Sequence, residues 1–226
     1  MEKLNVYQSV ECDPLFYKTE RILIIGAINA GKSYFANKLI SKHADKFTHI
    51  IVCGVYASDL EKCVETKDKL RVVHEETYNP FDDFHIAENM DLKQRHVLIF
   101  YDDSMGCVLD SKICSKIFFM GRHYNISVIV TLQNYFYQGK EAQTIRGQAS
   151  MITLFKIRNM NQVVSIARTI ESGKSRIEKF SHLYNKHVLN KRYGYLSIFM
   201  DSPPDVRYRK DLVNESGIYD TVLKMG

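Results

Sequence analysis

Two glycines, a lysine and a serine stand close together in this chain, in an arrangement suited to holding phosphate groups. Residues 26–33 read GAINAGKS, which fits the pattern G-x-x-x-x-G-K-S, and they follow an apolar run at 22–25. Glycines let such a loop curl until backbone N–H groups face phosphate oxygens, and a helix beginning near Gly31 adds its positive dipole end. Lys32 is predicted to reach the β- and γ-phosphates of a nucleotide, and Ser33 to hold Mg²⁺.

The predicted nucleotide contacts cover the whole loop and the start of the helix. A Gly-rich pattern alone is a weak signal, but here a strand-like run precedes it and a helical segment, residues 33–40, follows it. The predicted contacts are Gly26, Ala27, Ile28, Asn29, Ala30, Gly31, Lys32, Ser33 and Tyr34.

A second apolar run, VLIFYDDS at residues 97–104, ends in two carboxylates. In P-loop ATPases such a strand lies beside the phosphate loop, so Asp102 is predicted to hold the Mg²⁺ shell together with Ser33. Asp103 stands where many motor ATPases carry a glutamate that polarises the attacking water, and it is predicted to act as the base. Aspartate is shorter than glutamate by one methylene.

A third apolar run, residues 126–133, ends in an amide. Gln133 is predicted to contact the γ-phosphate or its attacking water. Arg122 precedes this run and Arg146 follows the next helical segment, and either arginine could enter a neighbouring subunit's site to stabilise transition-state charge. The sequence does not choose between Arg122 and Arg146.

Apolar runs and helical stretches alternate along the chain. This pattern predicts an α/β fold, with a mostly parallel central sheet flanked by helices on both faces. Strands are predicted at 21–26, 48–54, 70–74, 96–102, 126–133, 151–157 and 195–201, and helices at 32–45, 58–67, 111–123, 139–146, 161–171, 176–189 and 213–225. Residues 79–83 and 202–205 are predicted loops.

One domain is predicted over residues 1–226, because no linker or repeat divides the 226 residues. It comprises an N-terminal extension, 1–20, a motor core, 21–157, and a C-terminal part, 158–226. That last part holds a basic helical segment, a final strand and a final helix.

Charge is distributed unevenly along the chain. Residues 1–103 contain 13 Lys and Arg against 17 Asp and Glu, whereas residues 104–226 contain 18 against 9. The stretch 156–192 is especially basic, and such a surface suits a polyanion, although scattered solvated charges would give the same count. No apolar run approaches the roughly 18 residues of a membrane span. Five cysteines without a CxxC spacing suggest reduced thiols in a reducing compartment.

Together, the segments GAINAGKS, LIFYDDS, GRHYNISVIVTLQNYF and TIRGQASMITLF resemble the genome-packaging ATPases of large eukaryotic DNA viruses. This poxvirus-type family belongs to the FtsK/HerA superfamily of ring-forming DNA motors. The similarity covers about residues 21–157. Within it, the loop carries Ala, Ile and Asn where relatives are richer in Gly and Ser, and beyond 157 the match is weak.

The resemblance implies a RecA/FtsK-like P-loop NTPase fold of the ASCE type, with ATP and Mg²⁺ as cofactors. It implies ATP hydrolysis coupled to sequence-independent movement of double-stranded DNA into a preformed capsid. Implied partners are capsid vertex or portal proteins and further copies of the chain in a pentameric or hexameric ring. The implied location is the host cytoplasm, at the viral factory, and the virion.

Two other functions stay open on the sequence. A nucleotide-gated capsid-assembly switch would bind ATP without needing an efficient base, and Asp103 in place of glutamate keeps this alternative alive. A small-molecule kinase would share the phosphate loop. The amide at the end of 126–133 and the lack of an obvious arginine-rich lid argue against a kinase.

Overall fold

The centre of the molecule is a β-sheet, seen here in a computed structural model that describes residues 15–54, 69–73, 78–83, 95–103, 105–210, 212 and 221–223. The strands within these ranges are β1 (Arg21–Ile25), β2 (His49–Cys53), β3 (Leu70–Val73), β4 (Val97–Tyr101), β5 (Ile126–Leu132), β6 (Met151–Leu154), β7 (Leu196–Phe199), β8 (Tyr208–Lys210) and β9 (Thr221–Leu223). They pair in the order β3-β2-β4-β5-β1-β6-β7-β8-β9. The strands from β3 to β6 in this order are parallel, and β7, β8 and β9 add antiparallel pairings at one edge.

The inner strands are apolar along their whole length because helices cover both sheet faces. All residues of β4 and β5 are buried. Alternate residues of β1 face opposite sides, so Ile22 and Ile24 pack into one apolar cluster with the first helix, while Leu23 and Ile25 join a second cluster. The predicted α/β fold with a mostly parallel sheet between two helical layers is confirmed.

The α-helices within the described ranges are short. They are α1 (Lys32–Lys42), α2 (Pro80–Asp83), α3 (Met105–Leu109), α4 (Lys112–Met120), α5 (Ala142–Gly147), α6 (Met160–Ile170) and α7 (Lys174–Tyr184). Single turns of 3₁₀-helix occupy Ala44–Lys46 and Gly121–Tyr124, and α7 continues into a π-helical turn, Asn185–Leu189. In this part of the chain no helix is long and apolar enough to cross a bilayer.

The structure differs from the sequence-based prediction at several short elements. Residues 79–83, predicted as a loop, contain α2, because Asn79 Oδ1 accepts a hydrogen bond of 3.1 Å from Phe81 N and proline fits the first turn of a helix. The predicted helix 213–225 is wrong at 221–223, where β9 pairs with β8. A three-residue strand is too short to show a periodicity, so β8 and β9 were not predicted. The predicted helix 58–67 lies outside the described residues.

Candidate functional site

The phosphate-loop sequence forms a tight turn between β1 and α1. Gly26 N donates to Leu132 O at 3.0 Å and Ala27 N donates to Lys156 O at 2.9 Å, so the loop is anchored to the strands on both sides of β1. A Cβ on Gly26 would lie 2.5 Å from the Cβ of Phe155, which explains why glycine is needed there. The left-handed φ of 100° at Gly31 then turns the chain into α1.

Lys32 is held close over this loop. Its side chain is buried, and Nζ donates a 3.0 Å hydrogen bond to the carbonyl of Ala27. Burial lowers the pKa of Lys32, while the charges of Asp103 and Asp102 raise it. The ammonium group of Lys32 therefore lies beside the N–H groups of the loop. A cation in this position suits an anionic phosphate chain.

The first carboxylate, Asp102, receives two hydroxyl hydrogen bonds on one oxygen. Ser33 Oγ donates to Asp102 Oδ1 at 2.9 Å, and Thr131 Oγ1 donates to the same atom at 2.7 Å. Burial raises the pKa of Asp102, and these two hydrogen bonds lower it. A serine hydroxyl and a carboxylate within 2.9 Å at the phosphate loop are hard oxygen donors, so the predicted pair Ser33 and Asp102 fits the preferences of Mg²⁺.

The second carboxylate, Asp103, faces Gln133 across the ends of β4 and β5. Gln133 Nε2 donates to Asp103 Oδ1 at 2.9 Å and to Oδ2 at 3.2 Å. Asp103 adopts a left-handed φ of 52°, which is uncommon for a residue with a side chain. The structure therefore brings together an exposed carboxylate and an amide, the two predicted groups that can orient and deprotonate a water molecule.

Thr131 connects the two carboxylates, and the sequence-based prediction missed it. Its hydroxyl donates to Asp102 and accepts a 2.7 Å hydrogen bond from Asp103 N. Thr131 is fully buried in β5, two residues before Gln133 and therefore on the same side of that strand. A hydroxyl residue within the otherwise apolar end of this strand was the signal available in the sequence.

Neither candidate arginine belongs to this group of hydrogen-bonded residues, and the two occupy different places in the fold. Arg122 is exposed in the turn that leads into the amino end of β5, so the 7 residues of that strand, about 20 Å, separate it from Gln133. Arg146, in α5, donates from Nη1 to the carbonyls of Tyr135 at 2.9 Å and Tyr137 at 3.0 Å. Arg146 thus fastens the segment that follows Gln133.

The exposed residues of the predicted nucleotide-binding stretch are distributed around the loop. Ile28 and Tyr34 are largely solvent-exposed, and the ammonium group of Lys38 lies 5.8 Å from the ring centre of Tyr34. Asn29 has a left-handed φ of 59°, and Ala30 N donates to Ala27 O at 3.2 Å. Residues 26–31 therefore form a turn whose middle faces solvent, and residues 32–34 begin α1.

A phosphate loop after β1, carboxylates at the end of β4 and an amide at the end of β5 define a P-loop NTPase. The chain belongs to the Poxvirus A32 protein family, whose model matches residues 8–205. The resemblance to poxvirus-type packaging ATPases seen in the sequence is confirmed. A comparison with curated protein sequences gives no significant match.

Solved structures of the genome packaging NTPase B204 from Sulfolobus turreted icosahedral virus 2 share the fold. The complex with AMP has a TM-score of 0.52 at 17% identity and covers 82% of this chain and 98% of that one. The complex with AMPPCP has a TM-score of 0.55 at 17% identity, covering 81% and 93% of the two chains. The complex with sulfate has a TM-score of 0.55 at 18% identity, covering 81% and 92%.

Proposed function

We propose that this protein is an ATP-hydrolysing motor that moves double-stranded viral DNA into a preformed capsid. The observation that carries the proposal is the convergence of Lys32, the Ser33–Asp102 pair and the Asp103–Gln133 pair at one end of the parallel sheet. Membership of the Poxvirus A32 protein family supports the same function.

Each group of the site has a role in γ-phosphate hydrolysis. Mg²⁺ held by Ser33 and Asp102 supplies neutralising charge to phosphate oxygens when it is bound. Lys32 neutralises the charge of the β- and γ-phosphates. Gln133 holds the attacking water, and Asp103 accepts its proton as the oxygen adds to phosphorus in line with the departing ADP oxygen.

The site gains an arginine from a neighbouring subunit in this proposal, and the subunits form a pentameric or hexameric ring. Arg122 suits this role because its side chain is exposed, whereas Arg146 donates to two carbonyls of its own chain. Transition-state charge would then be stabilised only in the assembled ring.

Positive charge on the C-terminal half supports the DNA-binding part of the proposal. Of the two acidic residues between 156 and 192, Glu171 is buried beside Arg176 and Arg207, and only Glu178 is exposed. A groove of about 720 Å³ between α6 and α7 is lined by Arg168 and Lys174 together with Glu178 and polar and apolar residues. The exposed basic side chains of 156–192 are Lys156, Arg158, Arg168, Lys174, Lys186, Lys191 and Arg192.

Contacts of this surface with DNA phosphates would carry no sequence preference, and affinity would fall steeply with salt. Capsid vertex or portal proteins are proposed as further partners. The proposed location is the host cytoplasm, at the viral factory, and the virion.

The test is steady-state ATP hydrolysis with and without double-stranded DNA. We expect DNA of any sequence to stimulate turnover, the stimulation to fall with salt, and Lys32→Ala to abolish turnover without unfolding the protein. Lys112→Ala, which removes an exposed lysine at the start of α4, is the matched control and should behave as wild type. Turnover retained by Lys32→Ala would contradict the loop assignment.

A nucleotide-gated capsid-assembly switch is the second candidate, and one contact favours it. The amide of Gln133 donates to both oxygens of Asp103, which leaves the carboxylate less available as a base. ATP binding that depends on Lys32, with negligible turnover in the presence of DNA, would favour the switch. Turnover that requires a nucleoside acceptor would instead indicate a kinase.

A further inference from the structure

An exposed tyrosine lies directly beside the phosphate loop, although it comes from a distant part of the chain. A Cβ on Gly31 would lie 3.3 Å from Cδ1 of Tyr193 and 3.6 Å from its Cβ. The Tyr193 side chain is nonetheless 58% exposed. One edge of this residue therefore touches the loop while much of the ring remains open to a ligand.

The turn that carries Tyr193 is fastened in place. Gly194 N donates to Lys191 O at 3.3 Å, and a Cβ on Gly194 would lie 2.3 Å from the carbonyl oxygen of His187, so the turn packs tightly on the end of the π-helical turn. Tyr193 itself has a left-handed φ of 57°. A non-glycine residue held in this region indicates that its surroundings determine its position.

An aromatic cluster joins this turn to the helix that follows the phosphate loop. The ring centre of Tyr195 lies 4.7 Å from that of Phe35 in α1 and 5.5 Å from that of Phe155, which follows β6. Phe35 and Phe155 are in turn 5.6 Å apart. These contacts fix the distance between Tyr193 and the loop through packed side chains.

The order of strands puts Tyr193 on the side of the loop away from the reacting groups. Asp102 and Gln133 follow β4 and β5, which lie on one side of β1, whereas Tyr193 precedes β7, which lies on the other side beyond β6. A triphosphate whose γ-phosphate meets Asp102 and Gln133 therefore extends its nucleoside toward Tyr193.

We propose that Tyr193 is the stacking platform for the purine base of the bound nucleoside triphosphate. This inference rests on the proposed function only in so far as the loop binds such a nucleotide. Arg192 adds a cation beside the platform, with its guanidinium carbon 5.2 Å from the Tyr193 ring centre. An exposed aromatic ring is the kind of group on which a base stacks.

The test compares binding of ATP with binding of inorganic tripolyphosphate, which has no base, by titration calorimetry in Mg²⁺. Tyr193→Ala should weaken ATP binding about 5- to 100-fold and leave tripolyphosphate binding unchanged. Tyr193→Phe keeps the ring and should bind ATP within about threefold of wild type. Because the ring is exposed, all variants are expected to fold, and their melting temperatures check this.

The matched control is Tyr17→Ala. Tyr17 is also exposed and also has a cation near its ring, Lys46 Nζ at 4.5 Å, but it precedes the amino end of β1. The proposal that Tyr193 is the platform would be overturned if Tyr193→Ala bound ATP within twofold of wild type. It would also be overturned if the variant lost as much affinity for tripolyphosphate as for ATP. Lys32→Ala tests the phosphate loop separately, because it should weaken binding of both ATP and tripolyphosphate. The measurement involves neither DNA nor hydrolysis.

Discussion

Replacing Thr131 by valine removes one hydroxyl from between the two carboxylates of the site. Valine has nearly the same shape, so the buried end of β5 keeps its packing. Two hydrogen bonds of 2.7 Å are lost, one to the carboxylate of Asp102 and one from the backbone N–H of Asp103.

The stability cost follows from these two bonds. A hydrogen bond to a charged group contributes about 1.5–3 kcal/mol and a neutral one about 0.5–1.5 kcal/mol. The free energy of unfolding of Thr131→Val should therefore fall by about 2–4 kcal/mol, as measured by urea denaturation. Turnover should fall about 10- to 100-fold with little change in the KM for ATP, because Asp103 and Asp102 lose their fixed positions.

The stability loss should also depend on pH. Burial raises the pKa of Asp102 in the folded protein, and the Thr131 hydrogen bond opposes this rise. An acid whose folded pKa lies above its unfolded value destabilises the fold as pH rises through that range, because the folded state then gives up its proton with difficulty. Removing the hydroxyl raises the pKa further, so Thr131→Val should lose more stability at pH 7 than at pH 4.

Two control variants separate catalysis from packing. Thr131→Ser keeps the hydroxyl and should retain most turnover. Thr153→Val removes another fully buried threonine hydroxyl, whose partner is Ser197 Oγ at 2.9 Å, and should lose stability but not turnover. A Thr131→Val turnover within twofold of wild type, or an equal loss in Thr153→Val, would refute the assignment of Thr131 as the positioning residue.

Four further variants test the two arginines, a half-buried histidine and a buried glutamate. Arg146→Ala should lower the free energy of unfolding by about 1–3 kcal/mol, because the segment after β5 loses two hydrogen bonds, whereas Arg122→Ala should lower turnover of the assembled protein and leave the melting temperature unchanged. Restored turnover in a mixture of Arg122→Ala and Lys32→Ala subunits would support a role between subunits; an inactive mixture would argue against it. Burial lowers the pKa of His96 from 6.5 to about 4, so the free energy of unfolding should fall as pH drops through this window, and His96→Gln should flatten that curve in acid denaturation. Glu171→Gln should lower the free energy of unfolding by about 1.5–3 kcal/mol in urea denaturation, because the half-buried Arg207 loses its charged partner, while ATP affinity of the folded protein stays the same; an unchanged midpoint would contradict this.

Local sequence patterns were sufficient to predict the parallel strands and the polar residues that follow them. The parallel strands that carry the site are buried on both faces, so each appears in the sequence as an unbroken apolar run. Asp102, Asp103 and Gln133 stand immediately after such runs, and the carboxyl ends of parallel strands meet at one edge of a sheet. Their convergence was therefore predictable, as was the turn from Gly26 to Ser33.

Short or distant elements were not predictable in the same way. The strands β8 and β9 have 3 residues each and gain their structure from pairing with a neighbour, not from a periodicity of their own. Arg122 is exposed before β5, whereas Arg146 is hydrogen-bonded to the segment after β5. This difference depends on the direction of β5 and on where the segment after Gln133 turns. Neither fact is encoded in the residues that flank each arginine.

The sequence by itself determined the order of the main strands and helices, the phosphate loop and which residues follow the ends of β4 and β5, because these depend on neighbours along the chain. The tertiary structure alone decided that Thr131 links both carboxylates and that Tyr193 lies against Gly31. Both contacts join residues far apart in sequence. They exist because the strand order puts β5 and β6 on either side of β1, and packing then determines which side chains meet.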